Sequence, residues 1–326
     1  MTEWTAKPFA ISCGDPAGIG PEIIGKSWKQ RTAASLKPFF AVGNIADFGR
    51  LADVPVQKIE QPMDASEIFD QALPVLHIHE AAAAVPGEAT LDGAQCSLHA
   101  LEIACGLARS GDAGAVITAP VSKTQLYKIG FRYPGQTEFV SERCGIAREN
   151  AVMMLAGPTL RVVPMTTHIA LKDVQEHLTD RLIVACARAA EKAMIRNFGI
   201  EKPHAGESGN LGNEEQRIMQ PAIDQLRQHG MDITDPLPAD TMFHEEARVK
   251  YDVALCPYHD QALIPLKTLH FFDGVNITLG LPIVRTSPDH GTAFNIAGQG
   301  IADPRSMIAA IQMAATAVTN RQTYDH

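Results

Sequence analysis

The sequence predicts an α/β fold built on a mainly parallel sheet covered by helices on both faces. Three observations carry this expectation. Short runs rich in Val, Ile and Phe recur along the chain, helical stretches separate them, and clusters of Gly, Pro, Asp and His often follow the runs. That alternation is the pattern of strand, crossover helix and parallel strand, with polar loops beyond the strand ends where ligands bind.

Taken in order, the strand-like runs are Phe9 to Cys13, Phe39 to Val42, Val75 to Ile78, Ala115 to Thr118, Val152 to Leu155, Arg161 to Met165, Val253 to Cys256 and Val275 to Leu279. Helices are expected from Pro21 to about Lys29, Ala94 to Arg109, Ser122 to Ile129, Asp180 to Asn197, Glu214 to His229 and Ser306 to Thr319. Pro21 suits a first helical position, and Glu22 in the first turn complements the helix dipole. One stretch breaks the rhythm. Only Ile200 to Pro203 separate the helix ending near Phe198-Gly199 from His204, too few residues for the strand that should follow. Either the chain crosses there without a strand or the local architecture is altered.

At 326 residues the chain suits two domains, or one large α/β unit with a cleft. Hydrophobic residues at 45% and charged residues at 20% allow a substantial buried core. A net charge of -9 disfavours a broad nucleic-acid surface, so no nucleic-acid partner is expected. No apolar run reaches the roughly 18 residues of a membrane span, and Met1 to Lys7 lack the pattern of a signal peptide. The expected location is therefore cytoplasmic, with no membrane partner. Cys13, Cys96, Cys105, Cys144, Cys186 and Cys256 form no C-x-x-C pair and are expected as small buried residues in a reducing compartment.

Gly14-Asp15-Pro16-Ala17-Gly18-Ile19-Gly20-Pro21-Glu22 follows a strand and opens a helix, where glycines admit a ligand and the helix start favours an anion. Ile23 replaces the third glycine of the dinucleotide fingerprint, so that motif fails. Gly20-Pro21-Glu22-Ile23-Ile24-Gly25-Lys26-Ser27 matches the phosphate-loop pattern in form only. Pro21 removes an amide, Glu22 repels phosphate and the helix starts too early.

Four histidines stand in segments read as polar loops: His168, His204, His259 and His290. Neutral imidazoles converging from separate loops could hold a divalent metal, although satisfied loop or core histidines look the same in sequence. Asp260 beside His259 and Glu207 near His204 could orient imidazoles, or simply be solvated acids. Lys267, Asn276 and Arg285 each lie beside a strand-like run, where Arg can grip phosphate or carboxylate through its planar fork. No G-x-S-x-G nucleophile elbow is present, and Ala81 to Pro86 reads as packing or loop.

Read together, the Gly14–Glu22 segment, Ile117-Thr118-Ala119-Pro120-Val121-Ser122-Lys123, Thr137-Glu138-Phe139, Thr166-Thr167-His168, His204-Ala205-Gly206-Glu207, Pro238-Ala239-Asp240-Thr241, Tyr258-His259-Asp260-Gln261, the 274–282 segment and Arg285-Thr286-Ser287-Pro288-Asp289-His290-Gly291-Thr292-Ala293 resemble the 4-hydroxythreonine-4-phosphate dehydrogenase (PdxA) family. The motifs occur in order over nearly the whole chain.

The resemblance implies an isocitrate/isopropylmalate-dehydrogenase-like fold of two α/β/α lobes. The first lobe would hold 1–129 plus 280–326 on the cofactor side; the second, 130–279, would hold the metal ligands and a dimer interface. It also implies NAD, with NADP the open alternative, and one divalent metal (zinc, cobalt or magnesium) on His168, His204 and His259. Gln136, Thr137, Lys267, Asn276 and Arg285 match substrate-binding positions, and His290, Gly291, Thr292 and Asn295 lie in the cofactor-side loop. Lys267 or a water near Asp260 would act as base. The expected partners are a small phosphorylated hydroxy amino acid and a second copy of the chain, with active sites shared across a homodimer.

The implied reaction is NAD-linked oxidation and decarboxylation in vitamin B6 biosynthesis. Rival readings are a homologous dehydrogenase acting on a sugar-acid 4-phosphate or an aromatic cis-dihydrodiol dicarboxylate, a P-loop nucleotide-binding protein, and an inactive binding homologue. Three departures from the family pattern stand out. Gln136 occupies a place where His is common, Asn295 one where an acid is frequent, and the strand leading into His204 looks absent.

Overall fold

Strand and helix alternate along the chain, as the apolar runs suggest. The computed structural model describes residues 7–78, 83–207 and 215–325, with only the backbone described at 205–207. Its strands are β1 (Phe9–Ser12), β2 (Phe39–Gly43), β3 (Val56–Ile59), β4 (Leu73–His77), β5 (Val116–Thr118), β6 (Val152–Ala156), β7 (Arg161–Thr166), β8 (His204–Glu207), β9 (Asp232–Pro236), β10 (Val253–Tyr258), β11 (Val275–Leu279) and β12 (Arg285–Pro288). The longer helices are α1 (Gly20–Lys29), α2 (Leu91–Ser110), α3 (Lys123–Lys128), α4 (Gln136–Arg143), α5 (Asp180–Phe198), α6 (Gln220–Gln228), α7 (His259–Leu269) and α8 (Arg305–Tyr324). Glu214, the expected start of the α6 region, lies outside the described residues.

The chain divides into two compact units, Met1–Cys144 with Pro282–Thr319 and Gly145–Leu281 with Asn320–His326. In the first unit the strand order is β3-β4-β2-β1-β5-β12, parallel throughout. Every residue of β1, β2 and β5 is buried, which is why these strands read as unbroken apolar runs rather than alternating ones. Along α2, Ala100, Leu101, Ala104 and Cys105 make a buried stripe. The helix starts where Thr90 Oγ1 accepts from the Gly93 amide at 3.0 Å and ends at Gly111, whose φ of 76° suits glycine.

Residues 130–144 fall in this first unit, on the other side of the division from the lobe boundary expected at 129/130. The contacts of α4 account for its place. Gln136 Nε2 donates to the Ala119 carbonyl at 3.3 Å, Phe139 stacks on Phe131, and Arg143 Nε donates to Glu102 at 2.7 Å.

In the second unit the order is β11-β6-β7-β10-β8-β9. Here β11 pairs with β6 and β6 with β7 antiparallel, while the other pairs are parallel. Leu155, Leu160, Val162, Met242, Ala254, Cys256, Ala262 and Leu266 form its core. The β6–β7 turn is closed by the Gly157 amide on the Leu160 carbonyl at 2.8 Å and braced by His270. The His270 Nε2 lies 2.9 Å from Thr159 Oγ1, and a β-carbon on Gly157 would overlap the His270 ring. Thr179 caps α5 through the Leu182 amide at 3.2 Å, and Gly199 at φ 68° ends it.

The gap before His204 resolves in an unexpected way. No strand lies between α5 and this residue; His204 itself opens β8, so the strand is built from the segment read as a loop. β8 sits between β10 and β9, with Ala205 opposite Val253 and His204 opposite Asp232. His259 likewise leaves the loop class, because it is the first residue of α7. The described part of the 81–86 stretch is loop, and residues 81–82 lie outside the described residues. Five of the six cysteines are buried, and Cys144 is half-buried. No helix among the described residues is long and apolar enough to cross a membrane.

Candidate active site

In the first unit the expected substrate residues lie on β12 and at the start of α4, with Thr118 of β5 beside them. Arg285 opens β12, level with Val116 of β5, and is 2% exposed. Its Nη2 donates to Thr118 Oγ1 at 2.7 Å and its Nη1 to Thr137 Oγ1 at 3.3 Å. Burial pushes the guanidinium down to about 10, against the opposing pull of Cys105 and Glu138. The group is therefore still charged at neutral pH, a cation in the interior with neutral hydroxyls against it. Gln136 Oε1 is buried and finds no hydrogen-bond partner among the described residues, leaving an acceptor next in sequence to the Thr137 that this cation bonds. In the same unit, the β1–α1 loop buries Asp15. Its Oδ1 accepts from the Ala17 amide at 3.1 Å, its Oδ2 has no partner among the described residues, and burial raises its pKa.

The cofactor-side loop follows β12. The Asp289 amide donates to Ser306 Oγ at 3.1 Å, and the Thr292 carbonyl accepts from the Ile19 amide at 3.0 Å. Gly18 leaves no room for a β-carbon against that carbonyl, and Ala293 adopts a left-handed φ of 43° to let the loop turn. Between these anchors His290 and Gly291 are exposed, and a β-carbon on Gly291 would meet nothing within 4 Å. Asn295 is exposed, and its carbonyl accepts from Gln299 Nε2 at 2.8 Å. The backbone segment is thus fixed at both ends and open between them.

Lys26 anchors the far end of the same region. Its Nζ donates to the Gly300 and Ala302 carbonyls at 2.8 and 2.6 Å and pairs with Glu22 Oε1 at 2.8 Å, which in turn accepts from the Ala302 amide. The residues that mimic a phosphate loop are thus helical from Gly20 onward, and their lysine is committed to a loop of its own chain.

In the second unit His168 follows β7 and His259 follows β10, two strands in register with Thr166 opposite Tyr258. Thr166 Oγ1 donates to the Pro257 carbonyl at 2.7 Å, and His168 adopts a left-handed φ of 57°. The two rings lie 6.1 Å apart between centroids, so the structure brings this pair together. Asp260 Oδ1 lies 2.8 Å from His259 Nδ1 and fixes the ring's orientation. Lys267 lies two turns further along α7, about 12 Å at 1.5 Å per residue, with its Nζ 5.6 Å from the centre of the Phe271 ring. Asn276, on β11, has a buried Oδ1 with no partner among the described residues.

His204 is not brought to the pair. It lies at the opening of β8, its Nδ1 2.9 Å from Asp232 Oδ1 and its amide on Asp252 Oδ2 at 3.0 Å. Among the described residues no three His, Cys, Asp or Glu side chains gather as a metal site. The three-histidine set implied by the resemblance does not fit these positions. The side chain of Glu207, expected near His204, lies outside the described residues.

Thr118, Asp15 and Lys26 were not singled out from the sequence. Thr118 had a signal, standing as the last residue of an apolar run within the Ile117–Lys123 motif; Lys26 was visible only as part of a misleading pattern.

Residues 36–314 match the family model described as pyridoxal phosphate biosynthetic protein PdxA. The chain belongs to the PdxA family. Its similarity to the 4-hydroxythreonine-4-phosphate dehydrogenase of Zymomonas mobilis is 52% identity over 327 residues, covering 98% of each chain. The crystal structure of 4-hydroxythreonine-4-phosphate dehydrogenase from Klebsiella pneumoniae superposes with a TM-score of 0.84 at 33% identity, over 96% of this chain and 100% of that one. Isocitrate dehydrogenase from Methylococcus capsulatus, at TM-score 0.50 and 14% identity over 98% of this chain and 88% of that one, shares the fold alone. The PdxA fold here is thus isocitrate-dehydrogenase-like.

Proposed function

We propose that this chain is an NAD-dependent dehydrogenase that oxidises and decarboxylates 4-phosphooxy-L-threonine to 3-amino-2-oxopropyl phosphate, a step toward pyridoxine 5'-phosphate. The reading rests on the family, on the dehydrogenase names of its relatives, and above all on Arg285. A buried guanidinium beside two threonine hydroxyls is an anion receptor in the making, since its desolvation is offset best when a phosphate or carboxylate arrives. Gln136 and Thr137 are the first unit's further proposed substrate contacts and Asn276 and Lys267 the second unit's, with a buried amide oxygen in each unit, on Gln136 and on Asn276, available as an acceptor.

When NAD is bound along the His290, Gly291, Thr292 and Asn295 loop, it supplies the hydride acceptor. The C3 alcohol of the substrate then loses its hydride and gives its proton to Lys267 or to a water beside Asp260. The ketone formed stands β to the carboxylate. Loss of carbon dioxide delivers the C–C electron pair into that ketone, and protonation of the resulting enol gives the aminoketone phosphate. Grip on the remote phosphate orients the reacting carbon. No step is assigned to a metal, because the three imidazoles that would hold it are not together.

The enzyme is further proposed to work in the cytoplasm as a homodimer, on the strength of the family resemblance. The test is NADH formation by purified protein with 4-phosphooxy-L-threonine, beside the unphosphorylated analogue, a sugar-acid 4-phosphate and an aromatic cis-dihydrodiol dicarboxylate. Preference for any of the last three would replace the substrate assignment.

A further inference from the structure

We infer that His204 is not a metal ligand in this chain but a strand residue held by Asp232, so that a divalent cation bound near His168 and His259 takes no imidazole from the His204 of the same chain. The register of the sheet carries this. The Asp252 amide donates to the His204 carbonyl at 2.8 Å, which sets His204 level with Asp252 at the start of β10. His259 follows the end of that strand. The six steps from Asp252 to Tyr258 cover about 20 Å at about 3.3 Å each. Two nitrogens on one zinc-like ion stand at most about 4 Å apart, so two imidazole side chains cannot bridge that separation.

Chain length keeps His204 where it is. β7 and β8 both run parallel to β10, so α5 is the crossover that returns the chain to the side where the strands begin. From Gly199, where α5 ends, to His204 is five steps, about 18 Å at full extension. That falls short of the strand's far end before any residue is spent on leaving the helix. Moving His204 to the other two histidines would require unwinding α5, whose last turn is fixed by the Gly199 and Ile200 amides on Ile195 and Met194. The Asp232 carboxylate at the imidazole, and Asp252 on its amide, give His204 a structural role in place of a ligating one.

Cobalt(II) titration followed by calorimetry and visible absorption tests this independently of the substrate assignment, because it reads no turnover. His204→Ala should bind cobalt within twofold of the wild type, whereas His259→Ala is expected to bind at least tenfold more weakly. A tenfold loss in His204→Ala would overturn the inference. Should that variant fail to fold, X-ray absorption of cobalt-loaded wild type decides instead, with two or fewer imidazoles supporting the inference and three refuting it. A six-residue strand-forming insertion between Lys202 and Pro203 adds about 20 Å of reach. In a folded protein it should tighten cobalt binding at least tenfold, and no gain would refute the chain-length argument.

Discussion

The guanidinium of Arg285 hands one hydrogen bond to Thr118 at 2.7 Å from within the first unit's sheet, joining a strand hidden from sequence inspection to one that was plain. Charge-assisted contacts to a desolvated anion are worth about 1.5–3 kcal/mol, so Arg285→Ala should lower kcat/KM for the phosphorylated substrate roughly ten- to a hundredfold. Comparing phosphorylated and unphosphorylated substrates locates the contact. A loss confined to the former places Arg285 on the phosphate, and equal losses place it on the carboxylate.

The same residue sets a pH response. Folded Arg285 releases its proton at about 10, well below an ordinary guanidinium, so between those two values the unfolded chain binds more protons than the folded one. This group's share of stability therefore rises with pH across that window, while its grip on an anion falls. Substrate affinity measured by titration should drop above about pH 10, and an Arg285→Met variant should lose that inflection.

Asp15 carries a carboxylate oxygen with no partner among the described residues, and burial raises its pKa. An acid whose folded pKa is raised costs stability as pH climbs past its unfolded value. Asp15→Asn keeps an acceptor for the Ala17 amide and removes the charge. It should stabilise the protein by about 1 kcal/mol, a rise in Tm of about 2–4 °C by thermal scan, with a fall in activity if the carboxylate serves substrate or cofactor.

Lys26 joins α1 to the Gly300–Ala302 loop. Removing it by Lys26→Met should raise KM for NAD several-fold with kcat little changed, since the loop loses an anchor and not a reacting group. Equilibrium dialysis should show no ATP binding by either protein. ATP bound tightly through Lys26 would revive the phosphate-loop reading.

Gln136 buries an Oε1 that has no hydrogen-bond partner among the described residues. Gln136→His should introduce an inflection in kcat/KM near pH 6–7 that the parent lacks, and Gln136→Ala should lower kcat/KM about tenfold. Profiles without that inflection would remove residue 136 from contact with substrate.

What could be read in the sequence follows from what burial does to residue choice. Strands β1, β2, β5 and β11 announced themselves because buried parallel or central strands select Val, Ile and Phe. β12 did not, because Arg-Thr-Ser-Pro is buried yet polar, its hydroxyls satisfied by contacts such as Thr286 Oγ1 on the Ala310 carbonyl at 2.9 Å. β8 was hidden for another reason. His-Ala-Gly-Glu has no strand signal of its own, and its pairing is dictated by β9 and β10 on either side. His168 and His259 were found as types and then as neighbours, whereas His204 shared their residue type but not their end of the sheet. Composition cannot tell the two ends of a strand apart.

Gly157 and His270 set a limit on how this chain can vary. The turn between β6 and β7 faces solvent at Pro158 and Thr159, a place where substitutions are ordinarily tolerated. Yet the imidazole occupies the space of any side chain at 157. Deep mutational scanning should therefore show a single intolerant position inside a permissive loop, and its first suppressors should arise at 270, more than a hundred residues away in the gene.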